Sequence, residues 1–295
     1  METIIVQAQA YTENSNHFFE DVKGYIPSNA SRFEVKITQD ADEISQAKKL
    51  RINEQFKFQL SASKVKKELS LTRKLIDQHK RMSHDGYDSY AQHLIVKDRQ
   101  TAKIIAYVRL IDGYTAFKIG GYFSETQFNV QKIFENQLYH IELSRLVIDK
   151  DYDNAQTAEL LWTGITQYAI ENGIDAIVGS LSIQLAENIS ETSQLINLYK
   201  ANHMSNRKLR VYPYQLLPDN SPLLRFSLNS KIKSKTRQQT YLDYFFSKGI
   251  QICGEAHWNK TLNTAELFFH YKLKNIQQIP QCIQINEVEL GSLCE

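Results

Sequence analysis

Apolar and charged residues alternate over Phe33–Ile37 (FEVKI), the period of a strand with one buried face. From Ala41 to Phe58 the spacing turns helical, with Ile44, Ala47, Leu50 and Arg51 near one side. A second helical stretch covers about Ser63–Arg81, and SHDGYDSY (Ser83–Tyr90) reads as a loop. Strands are predicted at His93–Val96, Ile104–Leu110 and Tyr139–Ile148. The clearest helix is Ala155–Glu171, where Ala158, Leu161, Trp162, Ile165 and Ala169 share a face. Asp153 with Gln156 resembles a capping box at its start, and Gly173 is its stop. Ala176–Leu181 is a short apolar run, read as a buried strand after a crossover. A helix over Asn188–Met204, a basic connection to about Lys235 and a helix over Thr240–Ser247 follow. The strands Ile250–Glu255 and Glu266–Tyr271 close the series. The order predicts an α/β fold around a mixed sheet.

The 295 residues, 42% hydrophobic and 23% charged, suit one large domain with a proper core. Three cysteines without metal-ligand spacing, and no secretory signal, point to a reducing cytoplasmic compartment. No run of 18 apolar residues is present, so no spanning helix is expected. The net charge is only +2, but Lys200–Arg237 holds nine Lys or Arg residues against the single acid Asp219. A second basic stretch runs from Lys64 to Arg81. Such fields suit an acidic protein or an anionic membrane surface, or are plain solvated faces. No nucleic-acid motif accompanies them, so no nucleic acid is expected. The histidines have no ligand spacing and Ser180–Ser182 is no nucleophile elbow; neither a metal nor a covalent intermediate is expected.

Several segments carry a resemblance in their order and spacing. HIELSRLVI (His140–Ile148) is similar to the Glu-Leu-Ser-Arg strand of acyl-homoserine-lactone synthases. It is also similar to the Glu-Leu-Gly-Arg strand of ornithine-lipid N-acyltransferases. LLWTGITQYAIENGIDAIVGSLSI from Leu160, AYVRLI (Ala106–Ile111), GGYFSETQF (Gly120–Phe128), DGYDSYAQHLIV (Asp85–Val96) and AKKLR (Ala47–Arg51) resemble the same enzymes. Together they span about residues 33–185. The resemblance implies a GNAT fold: a mixed, mostly antiparallel central sheet flanked by helices. It would occupy residues 32–275, with 1–31 an N-terminal extension and 276–295 a tail. It further implies N-acyl transfer from an acyl carrier protein thioester to the amine of an amino acid or similar small acceptor. No cofactor beyond that co-substrate is expected.

An amine attacks only when neutral, so a proton acceptor is needed beside the thioester carbonyl. Glu142, an acid inside an apolar strand, is the candidate for that work or for orienting the amine; the alternative is an ion pair with a nearby arginine. Arg145 is the other candidate catalytic residue. Three residues apart, the two face opposite sides of a regular strand. They converge only if the strand bulges between them, which also frees backbone N–H groups for an oxyanion. By the resemblance, Arg51 and Arg109 hold the acceptor carboxylate, or brace the amino-terminal lobe. By the same resemblance Asp85 and Asp88 match an acidic pair in a loop that closes over the site; the alternative is a pair of solvated loop acids.

The donor's phosphate-bearing arm is expected at a helix N-terminus, here Asn154, Ala155, Gln156 and Thr157. GNAT proteins carry a Gly-rich turn there. Lys150–Ala158 reads KDYDNAQTA, without glycine and with Asp151 and Asp153 to repel a pyrophosphate. That favours a carrier-protein thioester over acyl coenzyme A. A coenzyme-A-dependent acetyltransferase and a non-catalytic GNAT-like module binding carrier protein or lipid are the alternatives.

Overall fold

The computed structural model describes residues 32–62, 86–135, 138–152, 154–185, 189–218 and 237–273. The extension, the stretch Ser63–Arg81, Asp85, Asp153, residues 219–236 of the Lys200–Arg237 run and the tail lie outside the described residues.

Strand β1 (Phe33–Thr38) leads into helix α1 (Ala41–Ala62), then a 3-10 turn at Gly86–Ser89 precedes β2 (Gln92–Asp98) and β3 (Lys103–Asp112). Helix α2 (Gly113–Ile119), a 3-10 turn at Phe123–Thr126, β4 (Phe128–Asn129) and α3 (Gln131–Phe134) follow. Then come β5 (His140–Ile148), α4 (Ala155–Glu171), β6 (Ala176–Gln184), α5 (Ile189–His203) and β7 (Tyr212–Pro213). Helix α6 (Arg237–Ser247) and strands β8 (Gln251–Ile252), β9 (His257–Asn259) and β10 (Thr264–Lys272) complete the order.

Eight strands form one sheet in the order β1-β2-β3-β5-β6-β10-β8, with β9 also on β10. Every pairing in it is antiparallel except β5 with β6. That single parallel pair is what the crossover helix α4 demands. Its predicted apolar face, Ala158, Leu161, Trp162, Ile165 and Ala169, is buried in the main core. Gly164 lets α4 sit close: a Cβ there would lie 2.5 Å from Val35 Cγ1. Trp162 meets Phe245 of α6 and Tyr271 of β10 edge to face. On the opposite face, Ala47 and Leu50 of α1 pack with Ile95, Ile104 and Tyr107.

Two expectations change in detail. Helix α4 is capped by Asn154, whose side chain accepts from the Thr157 N–H at 2.9 Å. Asparagine caps as well as aspartate, so the cap is one residue later than the Asp153 motif suggested while the helix still starts at Ala155. The predicted strand Ile250–Glu255 shrinks to Gln251–Ile252: the Cys253 N–H still donates to the Phe268 carbonyl, but the Cys253 carbonyl accepts from the Val211 N–H and Gly254 bridges to Val211. Between β3 and β5 the sequence reading placed no element, yet α2, the 3-10 turn and α3 stand there. They are too short to show a helical period.

Candidate acyl-transfer site

The site begins where β5 leaves its neighbours. Tyr107 of β3 pairs with Val147 and Arg109 with Ser144, so Arg145 and Leu146 together oppose Val108. This is a β-bulge, with Arg145 in the left-handed region at φ 58°. On its other edge β5 pairs with β6 only from His140↔Ala176 to Leu143↔Gly179. Both strands run on, β5 along β3 and β6 along β10, but not against each other. The sheet therefore splits beyond Leu143. Gly179 marks the vertex: with φ 155°, it has its Cβ position 2.2 Å from the Leu143 carbonyl oxygen, where no other residue fits.

Glu142 is fully buried on the α1 side of β5. Its carboxylate accepts the backbone N–H of Phe123 at 2.9 Å and of Ser124 at 2.7 Å. The first N–H groups of the 3-10 turn thus find an acceptor inside the sheet. Burial raises the Glu142 carboxyl above its ordinary range, against those hydrogen bonds and the charge of Arg109. Phe123 in turn lies under two guanidiniums, Arg145 at 4.6 Å and Arg109 at 5.4 Å from the ring centre.

Asp88 gathers the other charges. Arg51 meets it bidentately at 3.2 Å on both oxygens, Arg109 at 2.9 Å and Lys48 at 3.5 Å. Arg109 also donates to Ser144 Oγ at 2.9 Å and lies 5.3 Å from the Tyr87 ring centre. Desolvation pushes Asp88 up, but Arg51 and Arg109 outweigh it and hold its carboxyl below the usual range. His93 donates from Nε2 to the Asp88 carbonyl, and its Nδ1 meets the Tyr107 hydroxyl, each at 3.0 Å.

So Glu142, Arg145, Arg51, Arg109 and Asp88 come together, linked through Phe123. Asp85 lies outside the described residues. Asn154, Ala155 and Gln156 are exposed at the start of α4, and Thr157 is buried. The Asn154 side chain occupies the Thr157 N–H; Ala158 N–H closes on the Asn154 carbonyl. Three residues escaped the sequence reading as site members: Phe123, Gly179 and Glu266. Glu266 is a buried acid in the apolar run TAELFFHYK. The signal that singled out Glu142 was present there too. Among the described residues no helix is long and apolar enough to cross a membrane, and no three His, Cys, Asp or Glu side chains are grouped to hold a metal.

Residues 66–163, about a third of the chain, match the family model of the acetyltransferase (GNAT) domain. Over 102 residues the chain is 30% identical to an L-ornithine Nα-acyltransferase of Rhizobium meliloti (strain 1021), covering 32% of this chain and 34% of that one. A protein of the same name from Rhodobacter capsulatus is 21% identical over 183 residues, 60% of this chain and 66% of that one. The chain thus spans about a third of the length of the first of these relatives. An N-acyl amino acid synthase from uncultured soil microbes aligns in structure with a TM-score of 0.44 at 12% identity, over 84% of this chain and 93% of that one. The chain is built as a mixed α/β fold on a large, mostly antiparallel sheet, and residues 66–163 of it resemble the acetyltransferase (GNAT) domain.

Proposed function

We propose that the protein is an N-acyltransferase that moves a fatty acyl chain from an acyl carrier protein thioester to the amine of an amino acid or similar small acceptor. The observation that carries this reading is the split between β5 and β6, beside a bulge that begins three residues past the buried Glu142. An extended thioester arm fits such a gap as a strand would, its amides meeting edges that β5 and β6 do not share. The bulge takes the Leu146 N–H out of ladder register, and that group is suited to hold the carbonyl oxygen as it becomes an oxyanion.

Glu142 is the proposed proton acceptor for the amine. Burial raises its carboxyl, so its carboxylate is a stronger base than an exposed one. Arg109 and Arg145, both against Phe123, are the proposed contacts for an acceptor carboxylate and for developing negative charge. Arg51 and Asp88 act through Arg109, fixing its guanidinium. The names of the curated relatives support an amino acid acceptor.

The donor choice rests on the start of α4. Asn154 already spends its side chain on the Thr157 N–H, leaving less room for a pyrophosphate than a Gly-rich turn provides. A carrier-protein arm brings one phosphodiester only. The exposed basic residues Arg207 and Lys208 suit an acidic carrier. The test is lipid extraction from cells overexpressing the protein, with mass spectrometry for a new long-chain amide, and then kcat/KM for one acyl chain on both carriers. A new amide with the carrier-protein form preferred supports the proposal. Preference for coenzyme A assigns an ordinary acetyltransferase-type donor; carrier binding without turnover assigns a non-catalytic module.

A further inference from the structure

Glu266 of β10 is a second carboxylate buried on the Glu142 face of the sheet, and the acyl-transfer scheme leaves it without a task. Its Oε2 accepts from Ser182 Oγ at 2.5 Å and its Oε1 from Thr264 Oγ1 at 2.6 Å. Glu266 is only 3% exposed, whereas Ser182 is half-buried, so the serine hydroxyl is the side of the dyad nearest open space. Ser182 stands on β6 three residues beyond Gly179, the last partner of β5, and thus on the strand edge that borders the split. On the far side of the split, the Arg145 charge reaches Glu266 and draws its carboxyl down, against burial that pushes it up. The dyad therefore lies on the Glu142 face of the sheet, on the strands across the split from the bulge.

A serine hydroxyl that gives its proton to a carboxylate keeps two lone pairs for another donor. Amide formation from a thioester needs such a group twice: nitrogen must lose a proton after attack, and sulfur must gain one as it leaves. We propose that Ser182 and Glu266 form the shuttle that carries this proton from the attacking nitrogen to the departing sulfur, an inference that rests on the acyl-transfer reading of the same site. Once Glu142 has taken the proton of the ammonium form, the neutral amine attacks the carbonyl carbon and the C–N bond forms. The now cationic nitrogen gives a proton to Ser182 Oγ while the serine proton passes to Glu266 Oε2. The oxyanion collapses, the C–S bond breaks, and its electron pair leaves on sulfur. Glu266 returns its proton through Ser182 to the thiolate. Amine and thioester have become amide and thiol, and the dyad is as it began.

The test uses the full chain and two donors with one acyl group, a pantetheine thioester and a 4-nitrothiophenyl thioester. An equimolar mixture of the common amino acids with L-ornithine serves as acceptor. An alkyl thiolate benefits from protonation as it leaves; the nitro-substituted aryl thiolate departs as the anion. Glu266→Gln and Ser182→Ala should slow transfer from the pantetheine donor roughly tenfold or more and from the aryl donor less than about twofold. Ser182→Thr, which keeps the hydroxyl, should restore the alkyl rate. Equal losses with both donors would assign the dyad to packing and overturn the shuttle, as would an undiminished alkyl rate. If Ser182→Ala fails to fold, Glu266→Gln and Ser182→Thr decide the question alone. Wild-type protein that releases no thiol from either donor would overturn the acyl-transfer reading and the shuttle with it; activity in wild type with donor-independent losses would overturn the shuttle only.

Discussion

The Arg145 guanidinium lies 4.6 Å from the centre of the Phe123 ring, and the Phe123 N–H is bound at 2.9 Å by Glu142. A regular pleat would send residues 142 and 145 to opposite faces. The bulge at Arg145–Leu146 turns the arginine back, and the two meet through a residue from a different turn rather than directly.

Glu142→Gln tests the chemistry proposed for that carboxylate. The amide sets an NH₂ group against a backbone donor that now meets an oxygen, which costs about 1–3 kcal/mol in stability. The fold persists, and kcat/KM falls roughly 100-fold. Thermal melting and steady-state kinetics on the same preparation separate the two effects, and turnover near wild type would remove Glu142 from catalysis.

Asp88→Asn leaves Arg51 and Arg109 buried around a neutral side chain. Removing one partner of a buried charge cluster costs about 3–5 kcal/mol. Urea denaturation measures it. A loss below about 1 kcal/mol would mean that the two guanidiniums find equal partners elsewhere.

Gly179→Ala places a methyl on the Leu143 carbonyl at the vertex of the split. Overpacking against backbone costs about 1–3 kcal/mol, and the left-handed φ adds to it. The strands must part further to admit the methyl. Stability and acyl transfer should therefore fall together, and an alanine variant as stable as wild type would contradict the close approach.

Acid sensitivity has a source in His140 and His270, buried rings 6.1 Å apart. Burial pushes both down to about 4, with His140 adding to the effect at His270. An unfolded histidine titrates near about 6.5. As pH falls from about 6.5 to about 4 the unfolded chain takes up protons that the native state refuses, so stability declines through that window. Below it the pair contributes no further loss. Melting temperatures at pH 7.5, 5.5 and 4.5 should show the decline, and His270→Leu should flatten it. A wild-type melting temperature constant across that range would refute this account.

The sequence made the long elements legible because their periods are long enough to count. Helix Ala155–Glu171 is a residue-for-residue match, and β1, β2, β3, β5 and β6 lie where alternation or apolar runs placed them. The pleat said only that Glu142 and Arg145 need a bulge if they are to converge; that they do so came from the resemblance. The split beside it did not, because the end of a ladder between two strands leaves no mark in either. Phe123 sits on a four-residue turn, below the length at which periodicity speaks. Glu266 was legible as an acid in an apolar run, and its partners Ser182 and Thr264 emerge only when β6 and β10 lie side by side.

The Asp88 carboxylate also shapes how the chain assembles. It joins residue 51 to residue 88 and residue 109 to residue 88, closing chain loops of 37 and 21 residues at one point. Ordering the first loop earns little until the second is closed, since a lone carboxylate stripped of water with one cation is worse placed than one with three. Helix α1, the turn at Gly86–Ser89 and β3 are thereby bound to a common moment of assembly, and the amino-terminal half of the sheet folds or opens as one unit.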